Sequence, residues 1–582
     1  EEWGFAGVFA VFVLYAALVW FGFRTALRAR SDYSFFLALG LSLTVALQVS
    51  LIAGGVLDIL PLSGVVLPFL SYGRTALVTN FGIFGVLFAL NRDVFASKTT
   101  VPFRSATRSV ALAVSLFGAI LVSKSAYIQL LRADATLGRG ALTMQADGFR
   151  RFQYNPRLLA VARGIPRGTI YDRNGLPLAS SDWAEIAKYR DAYARAGVTL
   201  PTEAPPLESR FYPLGAAGVH LLGDLRTRAN WGAKNSSYAE RDFGVALQGY
   251  DDRATVVAVP DPKTGKPTYS VRYDYRELVP LIRHQYEPNN QAVKKIRERD
   301  RSLHMSIDAR LQVRASQLLA KQLEKLGQKK GAVVVMDPAT GDLLAAASAP
   351  LPAQMPPRLT EPETDDSMFD RARYGLYPPG SSFKVVTAIA ALRKDPKLVD
   401  QKYDCTKLPD GRAGAVVKGW RRPIRDDVKD TAAHGSIAMK QGLVVSCNAY
   451  FAQLGTYNVG ADALLETANL LGISVAAPSS AKQLAKDIPQ VAYGQGQAVA
   501  SPFQMARAAA TIAASGAMPY GRWVTDGNNS RQEAPKRILA PDLAAEIGSF
   551  MRAVVTSGTG RSAGTAKVEI AGKTGTAELE HA

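Results

Sequence analysis

At 582 residues the chain is long enough for several domains, and its formal net charge of +19 raises nucleic acid as a partner. The basic residues are scattered, however, with no compact basic-aromatic motif beside them, which sets nucleic-acid recognition aside. Two cysteines, Cys405 and Cys447, are too few for a disulfide framework, and no metal-ligand spacing links them to the five histidines.

The chain is strongly apolar as far as Leu131 and soluble in character beyond it. Residues 3–23 carry no charge and are long enough to cross a bilayer; residues 33–57 are a second such stretch and 75–91 a shorter third. A fourth runs over 109–131, interrupted by Lys124, whose stem can snorkel to the interface. Arg24, Arg28 and Arg30 lie between spans one and two; Arg92, Lys98, Arg104 and Arg108 lie between spans three and four. The positive-inside rule puts both basic loops in the cytoplasm, so the large C-terminal part is expected on the extracytoplasmic side. Between spans two and three, residues 60–73 are apolar but broken by Pro and Gly, which predicts a re-entrant or interfacial turn covered by protein.

The run Leu67-Pro68-Phe69-Leu70-Ser71-Tyr72-Gly73, with the opening Glu1-Glu2-Trp3-Gly4-Phe5, resembles the C-terminal end of the SEDS family (RodA/FtsW-type lipid II glycosyltransferases) over residues 1–92. Arg74 departs from the small residue usual in that family. The resemblance implies that most of the family's helices, and the loop bearing its catalytic acid, lie before Glu1, so no polymerase residue is assigned. Residues 93–108 read as a basic cytoplasmic linker and 109–131 as a transmembrane anchor.

From 132 to 300 the chain is rich in Arg, Tyr, Gly and Pro. Arg167-Gly168-Thr169-Ile170-Tyr171-Asp172-Arg173-Asn174-Gly175 reads as a strand entering an Asn-Gly turn, with Leu176-Pro177-Leu178-Ala179 as its return. This pattern, with Tyr212-Pro213-Leu214-Gly215 and His220-Leu221-Leu222-Gly223, resembles the mostly β pedestal of class B penicillin-binding proteins. His220 and Asp172 have no nucleophile nearby in sequence and read as structural.

From Ser306 the pattern changes. Asp308 is placed to cap a helix with apolar positions Leu311, Ala315, Leu318, Leu319 and Leu323, and Gly327 suits its end. Gly331–Met336 and Leu343–Ser348 read as strands joined by the turn Asp337-Pro338-Ala339-Thr340-Gly341. Val568–Gly572 reads as a late strand leading into Lys573. The fold class is therefore α+β: transmembrane helices, a mostly β pedestal, then an antiparallel sheet flanked by helices.

Three short motifs converge on acyl-transfer chemistry: Ser381-Ser382-Phe383-Lys384, Ser446-Cys447-Asn448 and Lys573-Thr574-Gly575-Thr576. This is the motif set of penicillin-binding proteins and β-lactamases. A serine hydroxyl is a weak nucleophile and needs a base; Lys384, one helical turn after Ser381, shares its face. Partial burial and a second cation, Lys573, both favour the neutral amine that a base requires. Over 301–582 the chain resembles the penicillin-binding transpeptidase fold, whose last strands and closing helix are expected after Ala582.

That resemblance implies Ser381 as nucleophile, Lys384 as base, Ser446 as proton relay and Asn448 as partner of Lys384 and of the substrate amide. It implies Lys573, on an edge strand, as the partner of the substrate carboxylate, with Thr574, Gly575 and Thr576 lining the same place. The backbone N–H groups of Ser381 and Thr576 are the expected oxyanion hole. Tyr493-Gly494-Gln495-Gly496-Gln497 resembles a further cleft segment, so Gly494 and Gln495 are candidate substrate-binding residues. His434 reads as packing support. The implied reaction is D-Ala-D-Ala transpeptidation between peptidoglycan stem peptides on lipid II-derived strands, with β-lactam antibiotics as acylating mimics, membrane lipid around the anchor and other cell-wall synthesis or division proteins as partners. No metal or organic cofactor is needed. The alternatives are a D,D-carboxypeptidase or β-lactamase-type hydrolase, and a non-catalytic penicillin-binding sensor or scaffold.

Overall fold

Uncharged stretches bounded by arginines become four helices at the start of the chain. The computed structural model describes residues 4–57, 59–61, 64–71, 73–92, 103–144, 149–205, 209–225, 237–261, 264–352, 366–428, 432–526, 534–565 and 567–577. The helices are Gly4–Arg28, Asp32–Val56, Arg74–Asn91 and Phe103–Ala126, the last continuing through a π turn to Leu131. All four are long and apolar enough to cross a membrane. The opening Glu1–Trp3 and residues 93–102 of the linker, Lys98 among them, lie outside the described residues.

Contacts divide the chain into two compact units, residues 1–164 with 251–296, and residues 165–250 with 297–582. In the first unit, Ser31 caps the second helix by accepting the Ser34 N–H (3.1 Å). Gly22 lets the first two helices approach closely: a Cβ there would lie 2.2 Å from Ser42 Oγ. The Pro/Gly-broken segment folds back on the helices, with the Tyr15 hydroxyl donating to the Pro68 carbonyl. The Phe69 ring lies 5.2 Å from Phe81 and 5.5 Å from Phe84. Two antiparallel hairpins complete this unit, Ala141–Met144 with Arg150–Gln153 and Thr255–Pro260 with Pro267–Arg272.

In the second unit, Ile170–Tyr171 pairs antiparallel with Pro177–Ala179 and parallel with Leu303–His304. Asp172 closes the Asn-Gly turn by accepting the N–H groups of Asn174 and Leu176 at 2.8 Å each. Its other oxygen accepts the Ala309 N–H (3.1 Å), so this carboxylate also serves the start of the helix Ala309–Leu326. Asp308 caps that helix through the Leu311 N–H, and Gly327 (φ 63°) ends it in the left-handed conformation. His220 is buried, with Nε2 2.6 Å from the Ser367 carbonyl; burial keeps its pKa low. Both side chains serve the fold.

The strands Gly331–Met336 and Leu343–Ala349 form a two-stranded antiparallel hairpin, packed between the helices Ala309–Leu326 and Pro502–Ala513. The largest core surrounds the helix Lys384–Lys394, whose Val386, Ile389 and Leu392 are buried against helices Gly460–Leu470 and Pro541–Ser557. A small antiparallel sheet, in the order Ile424–Arg425, Ala413–Ala415, Tyr403–Lys407, Gly435–Ile437, lies beside the helix Asn448–Leu454. One expected strand does not form. Among the described residues, 567–577 join no ladder. Their backbone bonds go instead to the helix Pro541–Ser557: Gly572 N–H donates to Met551 O (3.1 Å), and the Arg552 guanidinium donates to Ile570 O (2.9 Å).

Candidate active site

The nucleophile turn is built on glycine. Gly380 has φ 55°, and a Cβ there would lie 2.2 Å from the Thr576 carbonyl oxygen. Residues Gly380–Phe383 form a 3₁₀ turn that runs directly into the helix Lys384–Lys394. Side chains three apart eclipse in a 3₁₀ turn, which brings Ser381 over Lys384. Lys384 is fully buried, and its Nζ lies 2.8 Å from Ser381 Oγ. The same Nζ hydrogen-bonds to the Asn448 side-chain carbonyl (2.6 Å) and to the Ser446 backbone carbonyl, and lies 3.3 Å from Ser446 Oγ.

Ser446 sits in the link between the helices Met439–Val444 and Asn448–Leu454. Its N–H donates to Leu443 O (3.2 Å) and that of Cys447 to Gly442 O (2.9 Å), the paired bonds of a Schellman ending. Ser446 therefore takes the left-handed position, φ 61°, where glycine is usual. The strain, about 1–2 kcal/mol, holds a hydroxyl where it reaches two amines. The second amine is Lys573, with Nζ 2.8 Å from Ser446 Oγ. Burial lowers the Lys573 pKa to about 8. Thr574 Oγ1 lies 2.6 Å from Thr559 Oγ1. Gly575 passes over the nucleophile turn, where a Cβ would lie 3.2 Å from Pro379 O. Thus Lys573–Thr576 reach the site from an unpaired segment and not from the edge strand expected for them.

The other two expected binding residues are placed behind the nucleophile. Gly494 (φ 90°) accepts the Gly380 N–H through its carbonyl (2.9 Å), and a Cβ on it would lie 1.9 Å from Gly380 O. It braces the turn from below. Gln495 follows, its N–H donating to Gln490 O (3.1 Å).

The structure corrects the reading that no metal-ligand cluster exists. Cys405, Asp426, His434 and Cys447 bring four donor atoms within 4.8 Å of one another. Both thiols donate to Asp426 Oδ2 (3.2 Å each), and His434 Nδ1 is 3.1 Å from the same oxygen. Hydrogen bonding to Asp426 first, and then to Cys405, pushes the His434 pKa up to about 10. Burial alone opposes ionisation of Asp426, but bonds from His434, Cys447 and Cys405 hold its carboxyl below the usual range. Two thiols, an imidazole and a carboxylate are a donor set that can hold a Zn²⁺-like cation. The cluster borders the catalytic motif, because Asp426 Oδ1 also accepts the N–H groups of Asn448 and Ala449. No short spacing advertises it; its members come from the strand edges of the small sheet and from the helix start at Cys447.

Comparison with known proteins gives this geometry its class. Residues 331–581 match the family of the penicillin binding protein transpeptidase domain, and residues 1–95 match the cell cycle protein family of FtsW, RodA and SpoVE. Peptidoglycan D,D-transpeptidase MrdA of Acinetobacter baumannii is 28% identical over 437 residues, 68% of this chain and 60% of that protein. The chain thus spans less than two thirds of the length of that relative. Peptidoglycan glycosyltransferase RodA of Mycobacterium bovis is 38% identical over 102 residues, 18% of this chain and 22% of that protein. The structure of penicillin-binding protein A from Mycobacterium tuberculosis as an imipenem acyl-enzyme complex shares the fold, with a TM-score of 0.50 and 22% identity over 72% of this chain and 89% of that one. A transpeptidase domain follows a RodA/FtsW-like segment, and the four apolar helices mark a membrane protein.

Proposed function

We propose that the chain is a serine D,D-transpeptidase that cross-links peptidoglycan stem peptides. Ser381 Oγ attacks the carbonyl between the two terminal D-Ala residues of a donor stem while Lys384 takes its proton. Ser446, between the two amines, passes a proton to the departing D-Ala nitrogen. The acyl-enzyme is then attacked by an amine on a neighbouring stem, with the proton transfers reversed. Lys573, as its ammonium, pairs with the donor's terminal carboxylate, and Thr574, Gly575 and Thr576 flank it. The carrying observation is that Lys384 and Lys573 each stand 2.8 Å from a serine hydroxyl, Ser381 and Ser446 respectively. A β-lactam acylates Ser381 as a mimic of the dipeptide.

Labelling with fluorescent penicillin tests the nucleophile: wild type is labelled and Ser381→Ala is not, and label surviving in Ser381→Ala overturns the reading. Release of D-Ala from a stem peptide, with and without an acceptor amine, separates cross-linking from hydrolysis. The proposed topology has four crossings, with both basic loops cytoplasmic and the transpeptidase domain outside. Impermeant-reagent labelling of single cysteines placed in residues 93–108 and at 286 tests it, with only the second reacting in intact cells.

A further inference from the structure

We propose that the slot between the helices Gly4–Arg28 and Phe103–Ala126 binds one acyl chain of an anionic phospholipid, whose phosphate is held by Arg24. All of it lies within the first compact unit. The slot has a volume of about 330 Å³, at the lower end for ligand sites. The buried Phe23, Val49 and Leu121 line it, and Phe9 and Trp20 stay exposed along its rim. From Phe9 to Phe23 the lining extends about 21 Å along the first helix. One leaflet's half of a hydrocarbon core about 30 Å thick is shorter than that, so a whole extended chain fits.

Small side chains of the fourth helix make the room, with Ser115, Gly118 and Ala119 among the lining. Small residues in membrane helices usually mark close helix contact, and Gly22 is such a residue, its missing Cβ taken up by Ser42. Gly118 is the opposite case: a Cβ there would meet no atom within 4 Å. The space is too thin for another helix, since 14 residues of helix with side chains about 10 Å across fill about 1,600 Å³. It is also too apolar for water, because the Ser115 hydroxyl is spent on the Ala111 carbonyl (2.8 Å). A hydrocarbon chain is the membrane component with the matching shape and polarity.

The charge at one end selects the lipid. The Phe103 ring lies 6.5 Å from Phe35 and 5.4 Å from Phe36, which brings the start of the fourth helix beside the end of the first. Arg24, Arg28 and Arg108, all exposed, therefore stand toward the same end of the slot. Arg24 lies over the ring of the lining residue Trp20, 5.0 Å from its centre. An interfacial tryptophan with a guanidinium above it suits a phosphate at the level of the headgroups. The proposed topology makes this the cytoplasmic leaflet, whose anionic lipids attract arginine. The site depends on the membrane helices alone and not on the transpeptidase reading.

The test titrates the full chain, delipidated in detergent, with phosphatidylglycerol or phosphatidylcholine and reads bound lipid by native mass spectrometry. One phosphatidylglycerol is retained, at least roughly fivefold more tightly than phosphatidylcholine, the worth of one arginine at a lipid surface. Gly118→Leu fills the slot and loses the retained lipid without a fall in melting temperature, because its side chain enters open space. Arg24→Gln, at an exposed position, weakens phosphatidylglycerol by roughly fivefold and phosphatidylcholine by less. In vesicles, phosphatidylglycerol with a diazirine in its acyl chain labels residues 111–122 in excess over the helix Arg74–Asn91. Wild type that retains no lipid overturns the proposal, as does a folded Gly118→Leu that keeps it. Equal retention of the two lipids does so too. So do label spread evenly over all four helices, the mark of bulk lipid, and a lipid-free dimer, the mark of a second copy in the slot.

Discussion

Asn448 turns its side-chain carbonyl to the Lys384 amine, 2.6 Å away. The orientation is set from behind, since the Asn448 amide donates to the Arg425 carbonyl at 2.9 Å. Asn448→Ala removes a hydrogen bond to a group that cycles through a charged state. Such bonds are worth about 1.5–3 kcal/mol, so acylation by fluorescent penicillin is expected to slow by roughly 10- to 100-fold. Stopped-flow or timed-quench labelling reads this directly. A rate within twofold of wild type removes Asn448 from the site.

Ser446 is where stability and chemistry pull apart. A serine holds the left-handed residue of a Schellman ending that glycine fills without strain. Ser446→Gly is expected to stabilise the domain by about 1 kcal/mol, seen as a higher melting temperature. The same change deletes the hydroxyl between Lys384 and Lys573, and deacylation or transfer to an acceptor amine collapses. A variant both less stable and fully active contradicts both halves of the argument.

Lys573 has its pKa lowered to about 8 by burial. If its ammonium receives the substrate carboxylate, binding is lost as pH rises through about 8. The alkaline limb of kcat/KM for a D-Ala-D-Ala peptide belongs to this residue, and Lys573→Arg, which stays charged, moves that limb upward. The stability consequence has its own sign. The folded state holds this proton less tightly than the unfolded chain, whose lysine titrates near 10.4. Stability therefore rises with pH between about 8 and that value and is flat with respect to this group below it. An activity profile still level at pH 9.5, well past that value, counts against the assignment.

The parts legible in the sequence are those set by neighbouring residues. Asp308 and Gly327 mark the ends of the helix between them, because caps act within one turn. The uncharged runs give the membrane helices to within a few residues, except that the fourth starts at Phe103 rather than 109. Ser381 and Lys384 are paired by the motif they share and by a spacing of one helical turn, which puts them on one face. What escaped depends on distant partners. The strands around Cys405 and Ile424 are short and carry charges, and only their long-range pairing makes them a sheet. That sheet is what assembles the Cys405–Asp426–His434–Cys447 cluster. Val568–Gly572 has a strand's composition, yet Met551 and Arg552 take its backbone bonds. Gly494 lies in a run that resembles a cleft segment, but only its φ of 90° and its contact with Gly380 reveal a brace.

Away from the site, Glu240 is fully buried and holds two guanidinium groups. Its Oε2 accepts Arg167 Nε at 2.6 Å, and its Oε1 accepts Arg210 Nε and the Tyr212 hydroxyl. Arg210 is itself buried, with Nη2 making no hydrogen bond. Glu240→Gln keeps the shape but leaves the buried Arg210 and the half-buried Arg167 without their carboxylate, a loss expected to cost about 3–5 kcal/mol. The melting temperature should fall by several degrees, and protease should cut residues 165–250 sooner. Folded molecules should still take fluorescent penicillin at the wild-type rate, because neither arginine touches Ser381 or its partners. A loss below about 1 kcal/mol would mean the triad is solvated enough to behave as a surface pair.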